Sequence, residues 1–264
     1  MKSIKYLPEF HNLNLKAENV GVILDTETTS LINPEIISYT ALRFSFTDNL
    51  EISNILNLST FYNEPSTLIT DEITSLTGIT NDMVRGKVLT EKDLQESLQG
   101  AEVVIAHNAF FDRNTIENRY NIPSYLWACS ASDIPWKSQE YNFMGSTNLE
   151  YLAYKHGFYF NPHSSEEDCK ALLYLLSMNE SKHFQTLMIN AMEPRVRISC
   201  KGSPYDMKDN IKGYGFRWNG DCKEWWIETP LKNEALFSRL EKELFWKYCS
   251  LNDCNNDNRF LKLE

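Results

Sequence analysis

Hydrophobic positions along the chain fall into segments with distinct periods, and these predict most of its elements. VGVILDTE (residues 20–27) is apolar enough to be covered on both faces, as a buried first strand would be. EIISYTALRFSF (35–46) and EISNILNLSTFY (51–62) alternate apolar with polar residues, which predicts two further strands of a sheet with one wetter face. The segment 63–86 reads as a loop. Thr90 then opens a helix, with Asp93 placed for a capping box and Gly100 as its stop, and AEVVIAHNAFFD (101–112) reads as a buried strand running into a helix. Two more helices are predicted over STNLEYLAYKHG (146–157) and SSEEDCKALLYLLSM (164–178). Three strands, a helix, a strand and then helices describe an α/β layer fold.

The texture changes near Glu193. PRVRISCKG (194–202) predicts a strand, YDMKDNIKG (205–213) a short helix, GFRWNGDCKEWWIE (215–228) a hairpin turning at Asn219-Gly220, and EALFSRLEKELFWKYC (234–249) a closing amphipathic helix. The chain therefore divides into a domain over 1–190, a smaller α+β domain over 195–250 and a polar tail over 251–264.

Three acidic clusters stand out against this pattern. Strand side chains alternate in direction, so Asp25 and Glu27 share a face where the first strand ends. Asp112 follows an apolar run at the start of a helix. In NPHSSEED, Ser164 and Glu167 fit an N-cap and its capping-box partner, which puts His163 at N′ and Asp168 at N4, the two positions that touch in a hydrophobic staple. Asp168 also shares a helical stripe with Ala171, Leu172, Leu175 and Leu176, and a carboxylate on a core-facing stripe is costly unless neutralised. Each cluster alone has a structural explanation: solvated acids at a strand end, or an acid complementing a helix dipole. Together, four convergent carboxylates form a hard-oxygen site suited to Mg²⁺ or Mn²⁺, and a neighbouring histidine supplies a group that takes a proton near neutral pH. These are the parts of two-metal phosphodiester hydrolysis.

At this point residues 18–180 resemble the DnaQ-like 3′-to-5′ exonucleases of the DEDDh type. DTETTS is similar to the family's first motif, AHNAFFD to its second and HSSEED to its third, and EITSLTGITNDMVRGK looks like the segment leading to the substrate side. The resemblance implies an RNase H-like mixed sheet flanked by helices, two Mg²⁺ or Mn²⁺ ions per site and a nucleoside 5′-monophosphate product. It implies that Asp25 bridges both ions, that Glu27 and Asp168 hold the nucleophile-side ion, that Asp112 supports the other, and that His163 is the general base. Thr28, His107 and Asn108 would lie against the terminal nucleotide. Ser30 departs from the family's usual Gly, which would strain a backbone that needs φ > 0 there. A second and weaker resemblance links 205–228 to small accessory modules appended to some exonucleases of the exonuclease X type and to DNA-processing enzymes.

Composition adds a question about the polyanionic substrate. The net charge is −10, but residues 195–264 hold 13 Lys and Arg against 11 Asp and Glu, whereas the first 194 hold 13 against 25. Residues 195–223 carry seven cations against three acids, interleaved with Tyr205, Tyr214, Phe216, Trp218, Trp225 and Trp226. Cations beside aromatic rings suit single strands, so Arg217 and Trp225 are candidate substrate contacts, although the same aromatics could build a small core. The expected substrate is single-stranded DNA or the 3′ ends of duplex DNA. The rival readings are an exoribonuclease and a nucleic-acid-binding subunit with incidental hydrolysis. Oligomeric state is left open.

MKSIKYLPEF lacks a basic-then-apolar leader, and no apolar run approaches the roughly 20 residues of a membrane span, so a cytoplasmic protein without membrane partners is expected. Cys129, Cys169, Cys200, Cys222, Cys249 and Cys254 show neither CxxC pairs nor zinc-like Cys/His spacing and read as reduced thiols.

Overall fold

The computed structural model describes residues 2–3, 19–142, 144–178, 182–220 and 222–262. Residues 1 and 4–18, on which the leader reading turned, and Asp221, counted among the acids of the second domain, lie outside this set. The chain divides into two units, Met1–Ala191 and Met192–Glu264.

In the first unit the strands are β1 (Lys2–Ser3), β2 (Asn19–Thr28), β3 (Ile36–Phe46), β4 (Ile52–Tyr62), β5 (Val103–Ala106), β6 (Trp127–Cys129) and β7 (Phe158–Tyr159). The helices are α1 (Asp71–Thr77), α2 (Asn81–Val84), α3 (Glu91–Leu98), α4 (Ala109–Glu117), α5 (Ser130–Asp133), α6 (Leu149–Lys155), α7 (Ser165–Leu176) and α8 (His183–Met192). Five strands form a mixed sheet in the order β4-β3-β2-β5-β6, antiparallel from β4 to β2 and parallel from β2 to β6. The α/β reading with an RNase H-like mixed sheet is borne out.

Its largest buried cluster joins Ile23, Leu42, Phe44 and Ile105 from the sheet to Leu172, Leu176 and Phe184 from α7 and α8. Gly21 is required here, because a Cβ would lie 2.3 Å from the Phe44 ring. The alternation of β3 misleads in one respect: all of its residues but Arg43 are buried, with no wetter face. Its polar side chains are paired inside instead, Thr40 Oγ1 lying 2.9 Å from Thr60 Oγ1 and Ser45 Oγ 2.9 Å from Ser53 Oγ.

Two differences from the sequence reading have local causes. The segment read as a loop contains α1 and α2, each opened by a threonine cap: Thr70 accepts from Ile73 N and Thr80 from Met83 N. Helices of seven and four residues are too short for periodicity to show. Ser30 is absent from the residues with positive φ, so the strain anticipated there does not arise.

In the second unit β8 (Arg195–Lys201), β9 (Arg217–Asn219), β10 (Glu224–Pro230) and β11 (Cys249–Cys254) form an antiparallel sheet in the order β11-β8-β10-β9, with α9 (Lys208–Gly213) and α10 (Glu234–Leu240). Ile198, Cys200, Ile211, Phe216, Leu240 and Phe245 are its core. The amphipathic segment 234–249 is not one helix, since α10 ends at Leu240 and a 3-10 turn at Trp246–Tyr248 leads into β11. The supposed polar tail likewise begins inside a strand, β11. Cys200 and Cys249 face each other in register and are joined by a disulfide, which corrects the reading of all six cysteines as thiols. Forty-nine residues of separation hide that pair from sequence spacing.

No helix among the described residues is long and apolar enough to cross a membrane.

Candidate active site

The end of β2 presents Asp25 and Glu27 on one side of the strand, and the β2–β3 register shifts between Glu27 and Thr28. Such a bulge re-aims the side chains beside it. The first turn of α7 brings Asp168 to the same place, and ligand oxygens of Asp25, Glu27 and Asp168 all lie within 4.8 Å of one another. Asp112, in the first turn of α4, completes the group; its Oδ1 accepts from Thr26 N at 3.1 Å and Thr26 Oγ1 at 2.8 Å. Two helix N-termini thus point at the cluster, which favours negative charge there.

The cluster is an electrostatic conflict. Burial, then Asp112, Asp168 and Glu27, push the Asp25 carboxyl well above the usual carboxylate range. Burial, then Asp168 and Asp112, raise Glu27 to about 8. Burial raises Asp112 to about 7 against the opposing hydrogen bonds from Thr26, and raises Asp168 to about 7 against backbone N–H groups of Ser164 and His163. Four carboxylates held this close retain protons unless a cation offsets them. The oxygen-only donor set fits a hard divalent cation, whereas softer metals would call for Cys or His.

The α7 N-terminus differs from the capping box read in the sequence. Ser164 holds the N-cap position, but its hydroxyl makes no cap bond, and Glu167 pairs with Lys170. Asp168 takes the anticipated acidic role, accepting from Ser164 N at 3.1 Å through Oδ2. Ser165, a residue the sequence reading passed over, anchors the helix start, with its Oγ 2.9 Å from Ser38 Oγ and 2.8 Å from Thr40 Oγ1. His163 is exposed and in the left-handed region at φ 62°, one residue before the cap.

The substrate-side candidates are less uniform. Thr28 is half-buried, with its hydroxyl donating to Ser30 O at 3.0 Å, and Asn108 is exposed at the N-cap of α4. His107 has both ring nitrogens engaged: Nε2 donates to Thr147 O at 2.7 Å, and Nδ1 lies 2.8 Å from Ser130 Oγ. A carbonyl can only accept, which fixes the tautomer, and burial lowers this imidazole to about 4. His107 therefore ties the end of β5 to the segment before α6. Thr26 was missed in the sequence although it lies between the two acids, because its partner is 86 residues away.

In the second unit Arg217 and Trp225 lie on opposite faces of the sheet. Arg217 pairs in register with Trp226 and stands 5.7 Å from its ring, whereas Trp225 pairs with Trp218, centroids 5.4 Å apart, and packs against the core. Trp218 is 53% exposed.

The RNase T exonuclease family model matches residues 22–176, a span that holds all four carboxylates and His163. The chain belongs to this exonuclease family. The DnaQ-like, DEDDh-type assignment read from the motifs is thereby borne out. The chain is also similar to a PolC-type DNA polymerase III of Caldanaerobacter subterraneus subsp. tengcongensis, 39% identical over 106 residues, which are 39% of this chain and 7% of that protein. Among solved structures, the zinc-bound E. coli ExoI–ssDNA complex aligns with a TM-score of 0.50 and 15% identity over 90% of this chain and 66% of that one, a likeness of fold. Exonuclease X in complex with 5′ overhanging duplex DNA aligns at 23% identity and a TM-score of 0.47, over 64% of this chain and 99% of that one.

Proposed function

We propose that the chain is a divalent-metal-dependent 3′-to-5′ exonuclease that hydrolyses the terminal phosphodiester of single-stranded DNA and releases nucleoside 5′-monophosphates. The observation that carries this reading is the convergence of Asp25, Glu27 and Asp168 with Asp112 beside them. Asp25, Glu27 and Asp168 would hold two Mg²⁺ or Mn²⁺ ions with Asp112. When bound, such ions lower the pKa of a water and stabilise charge on the leaving oxygen. The protein's own share is positional. Thr26 fixes the Asp112 carboxylate, Ser164 N–H fixes Asp168, and the bulge after Glu27 aims the strand end. His163, exposed beside the Asp168 turn, would accept the proton of the attacking water. Thr28 and Asn108 would border the terminal nucleotide.

The second unit would add grip on the strand. Its exposed cations and the half-exposed Trp218 support that role, and because Trp225 packs against the core, Trp218 is the better stacking candidate of the two. A 3′-labelled and a 5′-labelled DNA oligonucleotide, with Mg²⁺ or EDTA, beside RNA of the same sequence, tests the whole reading. Metal-dependent release of mononucleotides from the 3′ end, faster on DNA, is expected. Faster loss of RNA would move the activity to RNA, and no hydrolysis of either would favour a binding subunit.

A further inference from the structure

Beside the carboxylates, α6 and the chain from Tyr159 to Phe160 enclose a cleft of about 440 Å³ lined by Asn148, Glu150, Tyr151, Tyr154, Tyr159 and Phe160. Four of its six lining residues are aromatic, and Tyr154 and Tyr159 are 60% and 50% exposed. Tyr151 and Phe160 pack against the core of this unit, whereas Tyr154 and Tyr159 stand outside it, so packing does not explain their place on the cleft. The walls are also held in place. Asn148 caps α6 by accepting from Tyr151 N, the Tyr151 hydroxyl accepts from Gly145 N, and the Lys155 ammonium sits 5.6 Å from the Tyr151 ring.

Neighbouring elements link the cleft to the candidate active site. His107 bonds Thr147 just before the Asn148 cap, α6 packs against α7, and the Phe160 wall leads in three residues to His163. Resting on the exonuclease reading, we infer that this cleft is a subsite for a nucleobase of the substrate strand, upstream of the scissile phosphodiester. Tyr154 and Tyr159 offer faces for stacking, while the Asn148 amide and the Glu150 carboxylate offer partners for the donors and acceptors of a base edge. The carboxylate of Glu150 repels a phosphate, so the base enters and the backbone stays outside. The 3′-to-5′ polarity is thereby given a foothold beyond the terminal nucleotide.

The test uses the full chain carrying Asp25→Asn, bound to 12-nucleotide DNA strands with 2-aminopurine at one of the five 3′-terminal positions. Quenching is expected at one position upstream of the last nucleotide, relieved by Tyr154→Ala and restored by Tyr154→Trp. In the hydrolytically competent chain, Tyr154→Ala with Tyr159→Ala is expected to raise the oligonucleotide KM by roughly 5- to 100-fold, more than it lowers kcat. Quenching and KM both insensitive to these substitutions would overturn the subsite. Absence of metal-dependent hydrolysis by the unsubstituted chain would instead defeat the exonuclease reading, and the quenching, which needs no turnover, would still decide whether the cleft takes a base.

Discussion

Thr26 is the residue through which the site's geometry is most open to test. It gives Asp112 two hydrogen bonds, one from the backbone and one from the hydroxyl, and Thr26→Val removes the second while keeping shape. Groups that orient a metal ligand typically contribute about 10- to 100-fold in metal affinity or activity. Thr26→Val is therefore expected to shift the Mg²⁺ titration of hydrolysis to higher concentration by that amount; an unchanged titration would remove Thr26 from the site. The carboxylates themselves predict a pH effect of definite sign. Their folded-state pKa values are raised, so between about pH 4 and pH 8 the native state holds protons that the unfolded chain has lost, and ion-free stability falls as pH rises. A cation reverses this by favouring the ionised cluster. The melting-temperature difference between Mg²⁺ and EDTA should thus be larger at pH 8 than at pH 5.5, and coincident melts at pH 8 would argue against a metal site. The acids were legible because alternation and helical spacing place Asp25, Glu27 and Asp168 without tertiary knowledge. Thr26 was not, because its role exists only once β2 meets α4.

Among the elements, the join between α6 and α8 carries an unplanned sensitivity to acid. His156 Nδ1 donates to Leu152 O at 2.7 Å, so its Nε2 is left to accept from His183 Nε2 at 3.0 Å, and buried His183 Nδ1 has no partner among the described residues. Trp136 and Tyr141 pack around His183, and burial followed by His156 lowers its imidazole from 6.5 to about 4. The unfolded chain then gains a proton near pH 6.5 that the folded chain refuses until about pH 4. This contribution to stability is present above pH 6.5 and is lost as pH falls towards 4, by an amount on the order of 2–3 kcal/mol. Urea midpoints should show wild type losing ground to His183→Phe over that interval, and parallel curves would refute the arrangement. Neither histidine advertised this pairing, since they lie 27 residues apart and in no metal-like spacing. Strand β2 was readable from its apolar run and β3 and β4 from their alternation, whereas α1 and α2 depend on threonine caps within a polar stretch and gave no periodic signal.

For the molecule as a whole, the uneven charge raises the question of how an acidic exonuclease domain meets a polyanion. Arg197, 3% exposed, pairs with Glu228 and donates to the carbonyls of Asn258 and Leu261 at 3.1 Å, so residues read as a polar tail are tied to the sheet. Arg197→Ala leaves Glu228 buried without its guanidinium and is expected to cost about 3–5 kcal/mol, seen as an earlier melting transition of this unit; an unshifted transition would show the pair to be dispensable. Arg217 is different, because it is exposed and its expected work is on phosphate. If it meets the strand, Arg217→Ala should lower DNA affinity at low salt and reduce the slope of log K against log salt by about one, as loss of one phosphate contact does. Trp218→Ala should weaken binding by roughly 1–3 kcal/mol while leaving that slope unchanged, since stacking releases no counterions. Affinity and slope both untouched by the pair would confine substrate contact to the first unit, and the net +2 of residues 195–264 would then have no part in recognition.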